Sequence, residues 1–394
     1  MARPSLLVLQ SGGPTAVINA TLAGVLEGAR EQGFGRVLGA LRGFSGLLKG
    51  HLVDLTALSG DRLERLARTP GAALGTSRER VDARSAPQAL RILDQQRIET
   101  AVVIGGNDTA ANAQALLTAA TEAGQPLTVI HAPKTIDNDL PETDHTPGYP
   151  SAARFLARAT RDILIDSWSV RDLYPVTLLE VQGRNAGWLA AACAVAAPAL
   201  LRDHLLLFFP ERPPESPASL IDELLEAKQA RGWLVAVIPE TLRDRRGQPV
   251  AGPAARWVDP HGHPYPASPA ESLATALATR AGLRARVIRP NALARSFTAT
   301  ACPLDREEAR AIGRTAVAWA RAGQQAVMVA IQRLSDEPYR VEFRPVGIEA
   351  VAARERLLPG DFIGSDDRSV TEVFRSYARP LLGHLDAEEP ILFD

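Results

Sequence analysis

The sequence predicts an α/β fold built on doubly wound parallel sheets. Three observations carry that expectation. Short apolar runs alternate with amphipathic segments of helix length along most of the 394 residues, as strand–helix–strand units do. Several runs, such as 233–238, are continuously apolar, as strands covered on both faces are. Glycine-containing turns stand where a run ends and the next helix begins.

In chain order, apolar runs place strands at 5–10, 36–41, 101–104, 127–132, 176–181, 205–209, 233–238, 284–288 and 326–331. Amphipathic stretches between them place helices at 16–31, 86–96, 109–123, 149–165, 186–196, 217–229, 269–281 and 305–322. A chain this long suits two domains or lobes. A Pro/Gly-rich connection at 141–150 marks a boundary. Residues 210–217 are Pro/Glu-rich. Residues 241–268 are rich in Pro, Gly, Arg and His, and a segment of that length reads as a lid or an interface. No tandem repeat and no low-complexity tail is present.

Charge is nearly balanced, with 44 Lys+Arg against 45 Asp+Glu, so nothing in it supports a nucleic-acid or membrane partner. No apolar run reaches transmembrane length. The first residues lead straight into a strand-like run, which predicts no signal peptide. Two cysteines, Cys193 and Cys302, cannot build a disulfide framework; both read as core packing in a reducing cytoplasm. His261-Gly262-His263 is the one histidine pair with ligand-like spacing, and in a Pro-rich stretch it reads as solvated.

The chemistry gathers at strand ends. Ser11-Gly12-Gly13-Pro14-Thr15 follows the first strand and reads either as a tight turn or as a place where backbone N–H groups approach a phosphate. It is neither a Walker A loop nor GxGxxG. Gly105-Gly106-Asn107-Asp108-Thr109 also joins strand to helix; its Asp is either an N-cap or a ligand to a metal that bridges phosphates. Pro133-Lys134-Thr135-Ile136-Asp137-Asn138-Asp139 places a cation and two acids just past a strand's carboxyl end, where open α/β sheets bind ligands. It reads as an Asx-rich turn or as a site that holds Mg²⁺-phosphate and deprotonates a hydroxyl. Gly75-Thr76-Ser77-Arg78-Glu79-Arg80 is a polar loop with two guanidiniums. Glu180–Trp188 runs from a strand end to a helix start and carries Arg184. Arg286, Arg289 and Arg295 lie further on. Each arginine alone reads as a surface salt bridge; their recurrence at strand ends suits phosphate oxygens.

These segments resemble the phosphofructokinase family. SGGPTAVINA, ALGTSR, GGNDT, PKTIDND, EVQGRNAGW and a C-terminal Arg-x₈-Arg occur in that family's order across most of the chain. The resemblance implies two α/β, Rossmann-like lobes with the active site in the cleft between them. It places residues 1–148 plus about 294–335 in a phosphoryl-donor lobe, and 149–293 plus about 336–394 in a sugar-phosphate acceptor lobe. It implies phosphoryl transfer to the 1-hydroxyl of fructose 6-phosphate. Asp137 would then be the general base, with Lys134 and Arg184 stabilising charge on the transferred group. Gly12, Gly13, Arg78, Asp108 and Thr109 would bind the donor. Thr135, Asp139, Gln182, Gly183, Glu240, Arg286 and Arg295 would bind the acceptor, with Arg286 reaching in from a neighbouring subunit of a homodimer or homotetramer. Asn107, Asp108 and Asp139 would organise Mg²⁺.

Two positions bear on the donor. ATP-dependent members have glycine where this chain has Asp108 and Lys134. Asp108 would obstruct a nucleotide's α-phosphate, and Lys134 would meet the terminal phosphate of a shorter donor. The pair resembles the pyrophosphate-dependent branch. The chain also departs from the family. Asn107 replaces a metal-binding Asp, Gln182 a methionine, and Thr241 a glycine. Ala292 replaces a histidine or tyrosine, and Pro175 an arginine of the ATP-dependent bacterial forms. All but Asn107 fall on the acceptor side, and a lost charged phosphate contact costs ~1.5–3 kcal/mol. Arg289 or segment 241–268 would have to restore such a contact, or the acceptor differs. Three functions stay in view: a reversible pyrophosphate-dependent phosphofructokinase; the same chemistry on another sugar such as sedoheptulose 7-phosphate, or with ATP; and a non-catalytic regulator that binds phosphate ligands.

Overall fold

The computed structural model describes residues 4–252, 255–258, 264–385 and 388–393. Its strands are β1 (Ser5–Gln10), β2 (Arg36–Ala40), β3 (Leu52–Asp54), β4 (Ile98–Gly105), β5 (Thr128–Pro133), β6 (Val176–Val181), β7 (Leu205–Leu207), β8 (Leu234–Pro239), β9 (Ala255–Val258), β10 (Pro264–Pro266), β11 (Ala285–Ile288), β12 (Val327–Asp336) and β13 (Tyr339–Gly347). The helices are α1 (Ile18–Glu31), α2 (Phe44–Lys49), α3 (Gly60–Arg68), α4 (Ala86–Gln95), α5 (Asn107–Glu122), α6 (Tyr149–Ser169), α7 (Trp188–Ala192), α8 (Pro217–Arg231), α9 (Pro269–Ala281), α10 (Ala292–Ser296), α11 (Pro303–Arg321) and α12 (Glu372–Leu382). Two compact units result: Met1–Ser151 with Arg295–Arg356, and Ala152–Ala294 with Leu357–Asp394.

The first unit holds one sheet in the order β13-β12-β5-β4-β1-β2-β3. The strands from β12 to β2 are parallel; β13 and β3 close the two edges antiparallel. Both faces of its centre are covered, which is why β1, β4 and β5 read as apolar runs. Leu6, Val8, Val102, Ile104 and Ile130 share a core with α1 and α11. Leu7, Leu9, Ala101, Val103 and Val129 share another with α4 and α5. Helices α1 and α11 meet through glycine. A Cβ on Gly24 would lie 1.9 Å from the Arg310 carbonyl oxygen, and one on Gly313 would lie 2.2 Å from that of Thr21.

The second unit holds the parallel sheet β11-β6-β8-β7. Val176, Leu178, Leu234, Ala236 and Ile238 pack there against Leu220 and Leu224 of α8 and Leu273 and Leu277 of α9. Helix α8 opens on a capping box in which the Ser216 and Ser219 hydroxyls accept each other's backbone N–H.

Several expected bounds change. Residues 336–356 pair and pack in the first unit, because β13 lies along β12 from Asp336↔Tyr339 to Val327↔Gly347. The helix expected at 186–196 is reduced to Trp188–Ala192: left-handed backbone at Gly183 and Arg184 makes the stretch before it a turn, and residues 193–196 continue as turns. Within 241–268, β9 and β10 form an antiparallel pair, while His261 and His263 lie outside the described residues. No described helix is long and apolar enough to cross a membrane.

Candidate active site

Strands β5, β4 and β1 are neighbours, so the three turns singled out in the sequence open side by side at their carboxyl ends. Register sets the alignment: Gln10 lies opposite Ile104, and Gly105 opposite Pro133. The Ser11 N–H donates to the Ile104 carbonyl (2.9 Å) and the Lys134 N–H to the Gly105 carbonyl (2.9 Å), tying each turn to the next. Gly12 has φ +76°, a left-handed conformation that disfavours any side chain, and a Cβ there would lie 3.3 Å from Lys134 Nζ. The Lys134 ammonium reaches across to donate to the Gly13 carbonyl at 2.7 Å, with only 3% of the residue exposed. Arg295 Nη1 lies 3.9 Å from where a Cβ on Gly13 would be. The loop that carries Arg78 leans on the same turn: Thr76 Oγ1 donates to the Gly12 carbonyl at 2.7 Å.

The second turn runs directly into α5. Gly106, with no side chain to offer, occupies the N-cap, so Asp108 is not the cap; it lies in the helix's first turn at the positive end of the dipole. Asn107 Oδ1 accepts the Asp108 N–H at 2.8 Å, and Asn107 Nδ2 donates to the Arg354 carbonyl at 3.4 Å. Gly105 is obligatory, because a Cβ would overlap Thr109 Oγ1 at 2.0 Å. Beneath it His131 Nε2 bonds the Gly105 carbonyl at 2.8 Å. Burial, with the Lys134 charge adding to it, pushes that imidazole down to about 4, so the ring is neutral and Nε2 carries its proton.

The third turn is held from several sides. Thr135 Oγ1 accepts the Asp137 N–H at 3.1 Å. Asn138 is left-handed, φ +55°, and its Oδ1 accepts the Thr146 N–H at 3.1 Å. Thr146 Oγ1 donates to the Thr135 carbonyl at 2.9 Å. Arg356 donates to the Asn138 carbonyl at 2.9 Å, and its own N–H to the Asp139 carbonyl at 2.7 Å. Asp139 is buried and Asp137 half-buried. Thr146 and Arg356 were invisible to motif reading, since neither carries a chemical signature of its own.

In the second unit, Gln182, Gly183 and Arg184 follow β6, and Glu240 follows the adjacent β8. The Glu240 N–H donates to the Val181 carbonyl at 2.8 Å, and Thr241 Oγ1 to the Arg184 carbonyl at 2.7 Å. Gly183 (φ +128°) admits no Cβ, which would lie 2.9 Å from the Ala186 carbonyl oxygen. Arg184 is exposed, and Gln182 Oε1 is a buried acceptor with no hydrogen-bond partner among the described residues. Arg286, on edge strand β11, pairs with Asp166 and donates to Ser167 Oγ at 2.9 Å. Arg289 binds Glu180 at 2.9 Å and Glu271 at 3.0 Å. A phosphate contact from Arg289 would have to compete with both carboxylates. Pro175 precedes β6, at the strand's amino end, away from Gln182 and Arg184.

No group of three or more His, Cys, Asp or Glu suited to a metal occurs among the described residues. Asn107, Asp108 and Asp139 nonetheless offer the hard oxygen donors that a magnesium-sized cation takes when substrate phosphates and water supply the rest. Cys193 and Cys302 are both buried, and burial pushes the Cys193 thiol up to about 12.

A family model described as Phosphofructokinase matches residues 5–320. A protein of Xanthomonas campestris pv. campestris (strain B100) named pyrophosphate--fructose 6-phosphate 1-phosphotransferase is 36% identical over 388 residues, 97% of this chain and 92% of its own. A Rhodospirillum rubrum protein of the same name is 34% identical over 390 residues, 97% of this chain and 95% of its own. The solved pyrophosphate-dependent phosphofructokinase of Nitrosospira multiformis superposes with a TM-score of 0.85 at 30% identity, covering 100% of this chain and 95% of that one.

Proposed function

The chain belongs to the phosphofructokinase family, and from that premise we propose that it transfers a phosphoryl group reversibly from pyrophosphate to the 1-hydroxyl of fructose 6-phosphate. The observation that carries the donor is the buried Lys134 ammonium bridging to the Gly13 carbonyl at 2.7 Å, on the same turn as Asp137 and Asp139. A cation fixed there, with the Gly12–Gly13 backbone and Arg78 around it, suits a compact diphosphate. Asp108 and Thr109 at the α5 terminus complete the donor set. Asp137 takes the proton from the attacking hydroxyl, and Arg184 meets charge developing on the transferred group. Gln182, Gly183, Glu240, Thr135, Arg286 and Arg295 bind the sugar phosphate. Asn107, Asp108 and Asp139 would hold Mg²⁺, which when bound neutralises phosphoryl oxygens.

Arg286 on an edge strand suits a homo-oligomer in which that strand lies near a neighbouring subunit. Two buried cysteines and balanced charge suit the cytoplasm.

Initial rates with pyrophosphate and with ATP, across several sugar phosphates, test the assignment. Turnover with pyrophosphate and fructose 6-phosphate, and little with ATP, is expected; robust turnover with ATP alone would sink the donor assignment. Asp137→Ala should lose kcat by on the order of a hundredfold or more, within the range for general-base catalysis, while the KM for fructose 6-phosphate stays close to wild type.

A further inference from the structure

The first unit buries a charged cluster that the roles above leave unused. His145 is fully buried. Its Nδ1 lies 2.7 Å from Asp144 Oδ2, and its Nε2 lies 2.6 Å from Glu308 Oε2 on α11. Those carboxylates are acceptors elsewhere too. Arg333 on β12 donates to Asp144 Oδ2 at 2.9 and 3.2 Å, and the Tyr339 hydroxyl on β13 donates to Glu308 Oε1 at 2.7 Å. With acceptors on both sides, both ring nitrogens must donate, so the ring is an imidazolium. Burial opposes that charge, but Glu308 and Asp144 outweigh it and hold the group up at about 9. One turn before Glu308, Asp305 accepts the N–H groups of Gly148 (2.8 Å) and Ser151 (3.1 Å).

The cluster connects directly to the catalytic turn. Thr143 Oγ1 donates to the His145 carbonyl at 3.0 Å. Arg356 Nη1 donates to the carbonyls of Thr143 and Asp144 while Nη2 reaches Asn138. Thr146, next to His145, makes the two bonds to Asn138 and Thr135 described above.

We infer that His145 is a positioning residue for phosphoryl transfer: bridging Asp144 and Glu308 as an imidazolium, it fixes Thr146 and so the turn that carries Lys134, Asp137 and Asp139. This rests on the roles proposed for those three residues. A neutral ring loses one donor and leaves a buried carboxylate without its counter-charge, and the turn relaxes.

The test measures kcat, both KM values and Tm for His145→Gln and Glu308→Gln between pH 6 and 10, with Asp137→Ala as reference. His145→Gln is expected to lower kcat by roughly ten- to a hundredfold, as small misplacements of reacting groups do, with both KM values nearly unchanged and Tm above the assay temperature. Wild-type kcat is expected to fall as pH rises through about 9, so its advantage over His145→Gln narrows there. Glu308→Gln should move that alkaline limb to lower pH. Wild-type kcat in His145→Gln, a loss that only tracks Tm, or a pH-independent ratio overturns the inference. If His145→Gln does not fold, an unmoved limb and unchanged kcat in Glu308→Gln overturn it equally. An Asp137→Ala variant with intact kcat would remove the catalytic reading of the turn itself. Loss in Asp137→Ala with none in His145→Gln removes only the positioning role.

Discussion

Lys134 and Gly12 constrain each other: the ammonium lies 3.3 Å from where the smallest side chain would begin. Replacing Lys134 with Met keeps most of the side chain's length and removes its charge. The KM for pyrophosphate should rise roughly ten- to a hundredfold, the ~1.5–3 kcal/mol of a charged hydrogen bond, read from initial rates at saturating sugar phosphate. Gly12→Ala adds about 1–2 kcal/mol of left-handed strain and crowds the same ammonium, so it should raise that KM without lowering Tm by more than a few degrees. Lys134, Asp108 and the glycines were legible in the sequence because each belongs to a contiguous motif. His145 and Arg356 were not. His145 meets Glu308 across 163 positions, and Arg356 meets Asn138 across 218. Such partners are assembled by the sheet and leave no local pattern.

Strands buried on both faces announced themselves, while elements on the rim did not. β3 is three residues on an edge, and α3 buries only Leu63 and Ala67, so neither leaves a strong apolar period. β13, a half-exposed edge strand, alternates too weakly to be seen in the sequence. The contact of α1 with α11 was equally silent, since a helical glycine reads as a flaw until its neighbour is known. Gly313→Ala drives a methyl group toward the Thr21 carbonyl, 2.2 Å away. Overpacking of that kind costs about 1–3 kcal/mol, and calorimetry should show a Tm lower by several degrees with kcat at 25 °C largely kept.

Protonation couples the folded chain to pH in a window one group dominates. His131 is pushed down to about 4 and Asp305 up to about 6, so both have titrated below neutrality. His145 is raised from 6.5 to about 9. Its contribution to stability is complete below about 6.5 and is lost as pH rises through about 9. The wild-type Tm should fall across that interval, and the slope should flatten in His145→Gln; equal slopes would assign the fall to other groups. The division of the first unit between Met1–Ser151 and Arg295–Arg356 has a further consequence, during synthesis. β5 emerges from the ribosome long before β12, which must pair with it, and before α11, which supplies Ile312, Ala316 and Val317 to its core. At about 5–20 residues per second, roughly two hundred residues of delay leave an open strand edge and a bare apolar face for on the order of ten seconds or more. A nascent chain stalled or truncated near residue 294 should therefore be a chaperone client and aggregate when released, whereas the same chain extended through β13 should not.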